Sequence, residues 1–389
     1  MCLPDVCLPM TPGEPLRLVG VELRWLELSL AEPLDTAGGT HAARPIVLVR
    51  VVTDHGEGYG ECAALAEPGY SHEYAARAWR TLEGRLVPGL LDSAGGQVPS
   101  PGEVGGILEA LLDTGDDQPM ARAALEMGVL DAVLRVSGRS LAEYLGVTAS
   151  VVPAGGVVGI CSTPGELIEK VAAMHDRGTR RVKVKIRPGH DVEPLSALRG
   201  AFGDVELLGD ANGAYRLGDH RRLARLDPLG LLCIEQPLPA HDLAGHAELA
   251  RRIGTPVCLD ESLRSVADLE KAIATGACEV ACIKPARMGG YLAAVAASEM
   301  CLSSGVPAYC GGMLEAGLAR AANAALAGLP AFTIPGDLAG GERFVEGDPF
   351  GALEDLGGVV PVWHSPGLGP CPDVASLARV TTRTSWVGR

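Results

Sequence analysis

Five ionisable residues recur at a nearly fixed interval in the second half of a 389-residue chain: Lys185, Asp210, Glu235, Asp260 and Lys284, spaced 25, 25, 25 and 24 residues apart. Each stands at the end of an expected strand, as in Leu231-Leu232-Cys233-Ile234-Glu235. The interval is the length of one strand, one helix and two short loops. Repetition at that period places the five at one height on successive parallel strands. In a (β/α) barrel the C-terminal strand ends face the active site.

The flanking pattern agrees. Strands are expected at 156–160, 181–186, 205–209, 231–235, 256–260, 280–284, 306–310 and 331–334. Helical spacing covers 164–176, 191–201, 241–252, 265–275, 290–303 and 315–327. Such alternation with short loops implies right-handed βαβ units. Before residue 140 the pattern differs. Val19, Val21, Leu23 and Trp25 alternate onto one face of a first strand, 45–52 forms a second, and Gly56, Gly58 and Gly60 mark the turn into a third. Helices follow at 72–92 and 119–136, with 94–106 expected to be a loop. Residues 16–140 thus read as a small α+β domain, and the proline-rich 1–15 as a loose tail.

Composition narrows the partners. A net charge of −15 argues against nucleic acid. No apolar run reaches the ~18 residues of a membrane span. Eleven cysteines, an odd number without a CxxC pair, suit free thiols in a reducing cytoplasm.

The five residues also make chemical sense together. Asp210, Glu235 and Asp260 on neighbouring strands repel one another unless a cation intervenes. An all-oxygen set favours Mg²⁺ before Mn²⁺ or Ca²⁺, and without His or Cys it disfavours zinc. Lys185 and Lys284 flank that metal. A proton next to a carboxylate is weakly acidic, and its removal leaves an enediolate that a cation stabilises. A lysine near other positive charge has a lowered pKa and serves as base. Lys183 shares a strand face with Lys185, and Arg287 adds charge near Lys284.

Other signals carry less. Gly56-Glu57-Gly58-Tyr59-Gly60 lacks the GxGxxG order and reads as a hairpin. His190, His220, His241 and His246 fall outside the period and read as surface residues. Gly311-Gly312-Met313 either presents backbone N–H groups to an anionic substrate or is a tight turn. Asp337 reads as a cap.

These motifs resemble the enolase superfamily, muconate-lactonising subgroup. The marks are Lys183-Val184-Lys185, Asp210-Ala211-Asn212, Ile234-Glu235-Gln236-Pro237, Asp260-Glu261-Ser262 and Ile283-Lys284-Pro285. Tyr309-Cys310-Gly311-Gly312-Met313 and Pro335-Gly336-Asp337 are similar to the o-succinylbenzoate synthase/N-acylamino acid racemase family. The resemblance implies an α/β fold: a (β/α)7β modified TIM barrel over 141–355, an α+β capping domain over 16–140, and a segment 356–389 returning to the cap. It implies opposed bases Lys185 and Lys284, a metal on Asp210, Glu235 and Asp260, and Asn212 and Glu261 in support. A small carboxylate substrate and a homo-oligomer are also implied.

Departures from the family pattern fall at Gly209, at 34–39, at Asp117-Gln118-Pro119 and at 338–341. They bear on substrate recognition rather than on the metal or the lysines. Four readings therefore stand: an o-succinylbenzoate synthase of menaquinone synthesis; an N-acylamino (N-succinylamino) acid racemase; a related cycloisomerase or dipeptide epimerase; and a non-catalytic binding protein.

Overall fold

The computed structural model describes residues 16–36, 39–69, 71–93, 95–99, 101–111, 118–203, 205–339 and 347–388. The expected tail 1–15, Ala37, Gly38, Tyr70, Asp117, Gly340 and Gly341 lie outside the described residues, as do the side chains of 32–42.

Three antiparallel strands open the chain: β1 (Leu18–Thr36), β2 (Gly39–Thr53) and β3 (Glu57–Cys62). A register shift between Leu18 and Gly20 breaks the expected alternation. The bulge turns Leu18 inward, 4% exposed, and leaves Val19 outside at 45%. Helices α1 (Ala75–Thr81) and α2 (Val87–Ser93) are joined through one π-helical turn. The expected loop 94–106 is partly helix: α3 (Pro101–Ala110) starts on a proline, which suits a first helical position, and buries Val104 and Leu108 one turn apart.

Helix α4 (Pro119–Val136) lies against β3 and is buried along most of its length. Gly58 and Gly60 do more than mark a turn. A Cβ on Gly60 would meet Ala124 O at 2.0 Å, and one on Gly58 would meet Ala132 N at 2.1 Å, so both admit the helix backbone. The cap core of Val21, Leu23, Val47, Val49, Trp79, Leu125 and Val129 results.

After α5 (Leu141–Leu145), β4 (Val151–Pro153) leads into the repeating units. In order these are β5 (Gly156–Val158), α6 (Pro164–Asp176), β6 (Arg181–Lys185), α7 (Val192–Ala201), β7 (Glu206–Asp210), α8 (His220–Leu223), β8 (Ile234–Glu235) and α9 (Leu243–Ala250). They continue through β9 (Val257–Leu259), α10 (Val266–Ala274), β10 (Val280–Ile283), α11 (Pro285–Met288), α12 (Tyr291–Ser304), β11 (Ala308–Cys310) and α13 (Gly317–Ala327). The seven strands form one parallel sheet in sequence order. Then β12 (Val359–Pro361) pairs with β4, and α14 (Val374–Val380) leads to β13 (Thr381–Gly388), which returns to pair with β1 of the cap.

The eighth expected strand, 331–334, is not a regular strand. Single bridges join Phe332 to Ala308 of β11 and Gly336 to Ala154 beside β5. Ile334 N–H donates to Ala308 O, and Gly155 N–H to Gly336 O. The segment still spans both edges of the sheet and completes a (β/α)7β barrel. Pro335 has no N–H to give a ladder, which limits the pairing to isolated contacts.

Strand register explains the period. Lys185 pairs with Asp210, and Asp210 with Glu235. Glu235 pairs with Cys258, two residues short of Asp260, and Cys258 pairs with Val280, four residues short of Lys284. From β6 to β10 the ring therefore advances four residues over four strand steps. That is the stagger of an eight-stranded barrel with a shear of about 8, which offsets strand tilt and keeps residues level. Both advances are even, so every member keeps the inward face. Beneath the ring Leu208, Cys233, Cys258, Val280, Cys282 and Tyr309 fill the barrel interior.

Candidate active site

The five periodic residues converge as ion pairs. Lys185 Nζ donates to Asp210 Oδ2 at 2.5 Å and to Asn212 Oδ1 at 2.8 Å. Across the ring, Lys284 Nζ donates to Asp260 Oδ2 at 2.9 Å. Glu235 lies between them on β8, fully buried. Arg287, also buried, donates its guanidinium to Asp260 Oδ1. Burial alone would raise the Asp260 pKa, but Arg287, Lys284 and Lys183 hold it well below the usual carboxylate range.

Glu235 behaves in the opposite way. Burial and the neighbouring negative charge of Asp210 push its carboxyl up to about 8, despite Lys183. Tyr309 donates its hydroxyl to Glu235 Oε2, and Lys183 Nζ donates to the same oxygen at 2.9 Å.

Lys183 itself is no weakened ammonium. Burial opposes its charge, but Asp337, Glu235 and Asp210 hold its pKa well above the ordinary value. Its bond to Asp337 Oδ2 is 2.6 Å. Asp337 is thus not the expected cap. It accepts from Lys183 and, at 2.8 Å through Oδ1, from Arg181, anchoring both cations below the ring. Neither Arg181 nor Tyr309 is among the site residues expected from the sequence, although Tyr309 opens one of the family motifs. The alternation Arg181-Val182-Lys183-Val184-Lys185, with charges on the inward face, was the signal for Arg181.

The ring has an outer brace. Asn212 Nδ2 donates to Glu261 Oε1 at 2.9 Å, linking Lys185 to Glu261 through one amide. Burial, Asp260 and Asp210 raise Glu261 to about 7. Asn212 and Gln236 both take positive φ, 43° and 40°, just past their strand ends. Gln236 uses the turn: its Oε1 accepts from Asp260 N–H at 3.0 Å and Ser262 N–H at 3.1 Å, fixing the segment that carries Asp260 and Glu261. His246, expected at the surface, is buried and accepts from Leu238 N–H at 3.1 Å, which secures the loop after β8.

The segment after β11 is split in role. Gly311 N–H donates to Ile283 O at 2.9 Å and so is taken by the ladder. A Cβ there would meet Lys284 Cε at 2.8 Å, so glycine makes room for the lysine. A Cβ on Gly312 would meet Asp337 O at 3.1 Å. Met313 packs into the cap core. Buried Arg44 of β2 donates to Met313 O, Leu314 O, Ala63 O and Ala64 O, pinning this segment to the cap. At Gly209, Ile186 fills the place of a larger side chain: a Cβ would meet its Cδ1 at 2.9 Å.

The donor set fits a divalent cation. Oxygens of Glu235 and Asp260 lie within 4.8 Å of each other and of Cys282 Sγ. The high Glu235 pKa reflects burial first and then the negative charge of Asp210, Asp260 and Asp337, the part that a cation relieves. Of the three carboxylates expected to hold a metal, Glu235 and Asp260 share this cluster with Cys282, while Asp210 pairs with Lys185.

Comparison with known proteins agrees with the geometry. A family model described as enolase C-terminal domain-like matches residues 166–376. Over 377 residues the chain is 47% identical to an N-succinylamino acid racemase of Amycolatopsis sp, covering 96% of this chain and 100% of that one. The chain belongs to the enolase superfamily. This superfamily enzyme is also 40% identical, over 93% of its length and 95% of the relative's, to an o-succinylbenzoate synthase of Geobacillus kaustophilus. Among solved structures, an enolase superfamily member from Listeria innocua superposes with a TM-score of 0.90 at 33% identity, covering 96% of this chain and 99% of that one. Among the described residues no helix is long and apolar enough to cross a membrane.

Proposed function

We propose that this enzyme removes the proton α to the carboxylate of a small substrate, with Mg²⁺ held by Asp210, Glu235 and Asp260. The favoured reaction is racemisation of N-succinylamino acids, supported by the 47% identity to a racemase of that substrate class. Dehydration to o-succinylbenzoate is the second reading, supported by the synthase relative at 40%.

The observation that carries the proposal is the pairing of the two lysines. Lys185 on Asp210 and Lys284 on Asp260 approach the ring from strands on either side of Glu235. A planar enediolate held over the ring presents one face to each. In racemisation one lysine takes the proton and the other returns it to the opposite face. In dehydration Lys185 acts as base and Lys284 steadies the developing negative charge. Bound Mg²⁺ would supply electrostatic stabilisation for the negative charge that develops on the substrate carboxylate. Asn212 orients Lys185, and Glu261 orients Asn212. Lys183, held charged by Asp337 and Glu235, supplies fixed positive potential rather than a mobile proton.

The test is incubation with Mg²⁺ in D₂O. N-succinylamino acids should gain deuterium at Cα and lose optical activity. The cyclohexadiene precursor of o-succinylbenzoate, offered separately, should lose water if the second activity is present. Absence of both exchange and dehydration overturns the proposal.

A further inference from the structure

We infer that the barrel holds a second coordination mode, in which Cys282 joins Glu235 and Asp260 to bind a thiophilic divalent cation such as Cd²⁺ or Zn²⁺. Its relation to the Mg²⁺ site rests on the ligand assignment proposed above, since Glu235 and Asp260 are common to both.

Three observations carry it. Cys282 Sγ lies within 4.8 Å of a carboxylate oxygen of each residue, and those oxygens lie equally near each other. Cys282 is fully buried and faces the barrel interior, on the register level of Asp260. Its thiol also has no hydrogen-bond partner among the described residues. The neighbouring thiols differ: Cys258 donates to Leu259 O, Cys278 to Val280 O and Cys310 to Gly311 O. A buried polar group of this kind, aimed at two carboxylates, is satisfied by a shared cation.

Chemistry selects the ion. Mg²⁺ takes hard oxygen ligands and gains nothing from sulfur, whereas Cd²⁺ and Zn²⁺ take thiolate with carboxylate. Binding replaces the S–H bond with an S–metal bond and releases that proton to solvent. The site would thus discriminate among cations by which residues it uses: the carboxylate ring for Mg²⁺, and Cys282 with Glu235 and Asp260 for the softer ion.

The experiment is titration of the whole protein with Cd²⁺, read by the ultraviolet sulfur-to-metal charge-transfer band and by proton release in weak buffer. The wild type should develop one saturable band with proton release. In Cys282→Ser and Cys282→Ala, each checked for folding by circular dichroism, the charge-transfer band should vanish, with affinity falling at least about 10-fold. Excess Mg²⁺ should weaken Cd²⁺ binding to the wild type by competing for Glu235 and Asp260. A band retained by both variants reports other cysteines and overturns the proposal. So does a wild type with no band, or a band indifferent to Mg²⁺. The readout needs no substrate, so its failure is distinct from failure of the α-proton exchange.

Discussion

Lys183 Nζ and Asp337 Oδ2 stand 2.6 Å apart inside the barrel, and their bond ties β6 to the segment that closes the cylinder. Asp337 also receives Arg181, so two buried cations share this carboxylate, and Lys183 has Glu235 besides. Asp337→Asn keeps the shape and removes the charge. We expect a loss of about 3–5 kcal/mol, the usual cost of leaving buried charge uncompensated, measured by urea unfolding. The pH dependence follows from the sign of the shift. Burial opposes ionisation of Asp337, but Lys183 and Arg181 hold its pKa below the usual range. Its stabilisation is therefore complete above the unfolded value of about 3.9 and is lost as pH falls below it. The wild type should lose this increment on acidification, and Asp337→Asn should not.

Replacing either lysine separates the two halves of a racemisation. Lys185→Ala and Lys284→Ala should each lower racemisation by roughly 10²–10⁴-fold. Each should retain measurable Cα exchange with only one enantiomer, and the two variants should prefer opposite enantiomers. Proton NMR in D₂O on resolved substrates reads this directly. Loss of exchange with both enantiomers in one variant would assign the remaining lysine a purely electrostatic role.

Room for Lys284 depends on the absence of a side chain at 311. An added Cβ would stand 2.4 Å from Cys282 Sγ and 2.8 Å from Lys284 Cε. Gly311→Ala should displace the lysine and lower kcat by roughly 10²-fold, the scale of a small misplacement of a reacting group. KM should change less than kcat, because the ring carboxylates are untouched.

The cap and barrel share a titrating contact. Glu126 of α4 accepts from Leu292 N–H at 3.1 Å, at the start of α12. Burial raises its carboxyl to about 7, against those backbone bonds. An acid raised on folding binds its proton more tightly in the native state. Its stabilisation is therefore full below the unfolded value of about 4.3 and declines as pH rises towards 7. Glu126→Gln does not titrate. Across that window wild type should lose stability relative to the variant by roughly 3 kcal/mol, seen as diverging Tm values.

Much of the barrel was legible because its signal is periodic. Strand–helix alternation located the repeating units, and five charges at one interval located the mouth before any geometry was known. What stayed hidden depends on contacts between distant segments. Asp337 is a lone aspartate in sequence; only barrel closure brings it to Lys183 and Arg181. Val19 fits an alternating strand, and nothing local announces the bulge that expels it. His246 resembles any loop histidine until the turn after Glu235 folds over it. Cys282 lies in an apolar run like several other cysteines, and the register between β9 and β10 sets it level with Asp260. Pro101 and its glycine neighbours suggested a loop, but burial of Val104 and Leu108 outweighed their low helix propensity.

The even stagger between strands sets a rule for how this scaffold tolerates changes in length. Asp260 and Lys284 reach the mouth because each lies two residues beyond the residue level with its predecessor. One residue inserted within β9 would turn Asp260 outward, towards the helical layer, and bring its apolar neighbour inside. The same residue inserted in the loop after α9 leaves the facing intact. Divergence among enzymes built this way should accumulate as insertions and deletions in connecting loops, with the strands themselves held to a constant count. The parity of each strand thus protects the chemistry while the surrounding loops are left to vary.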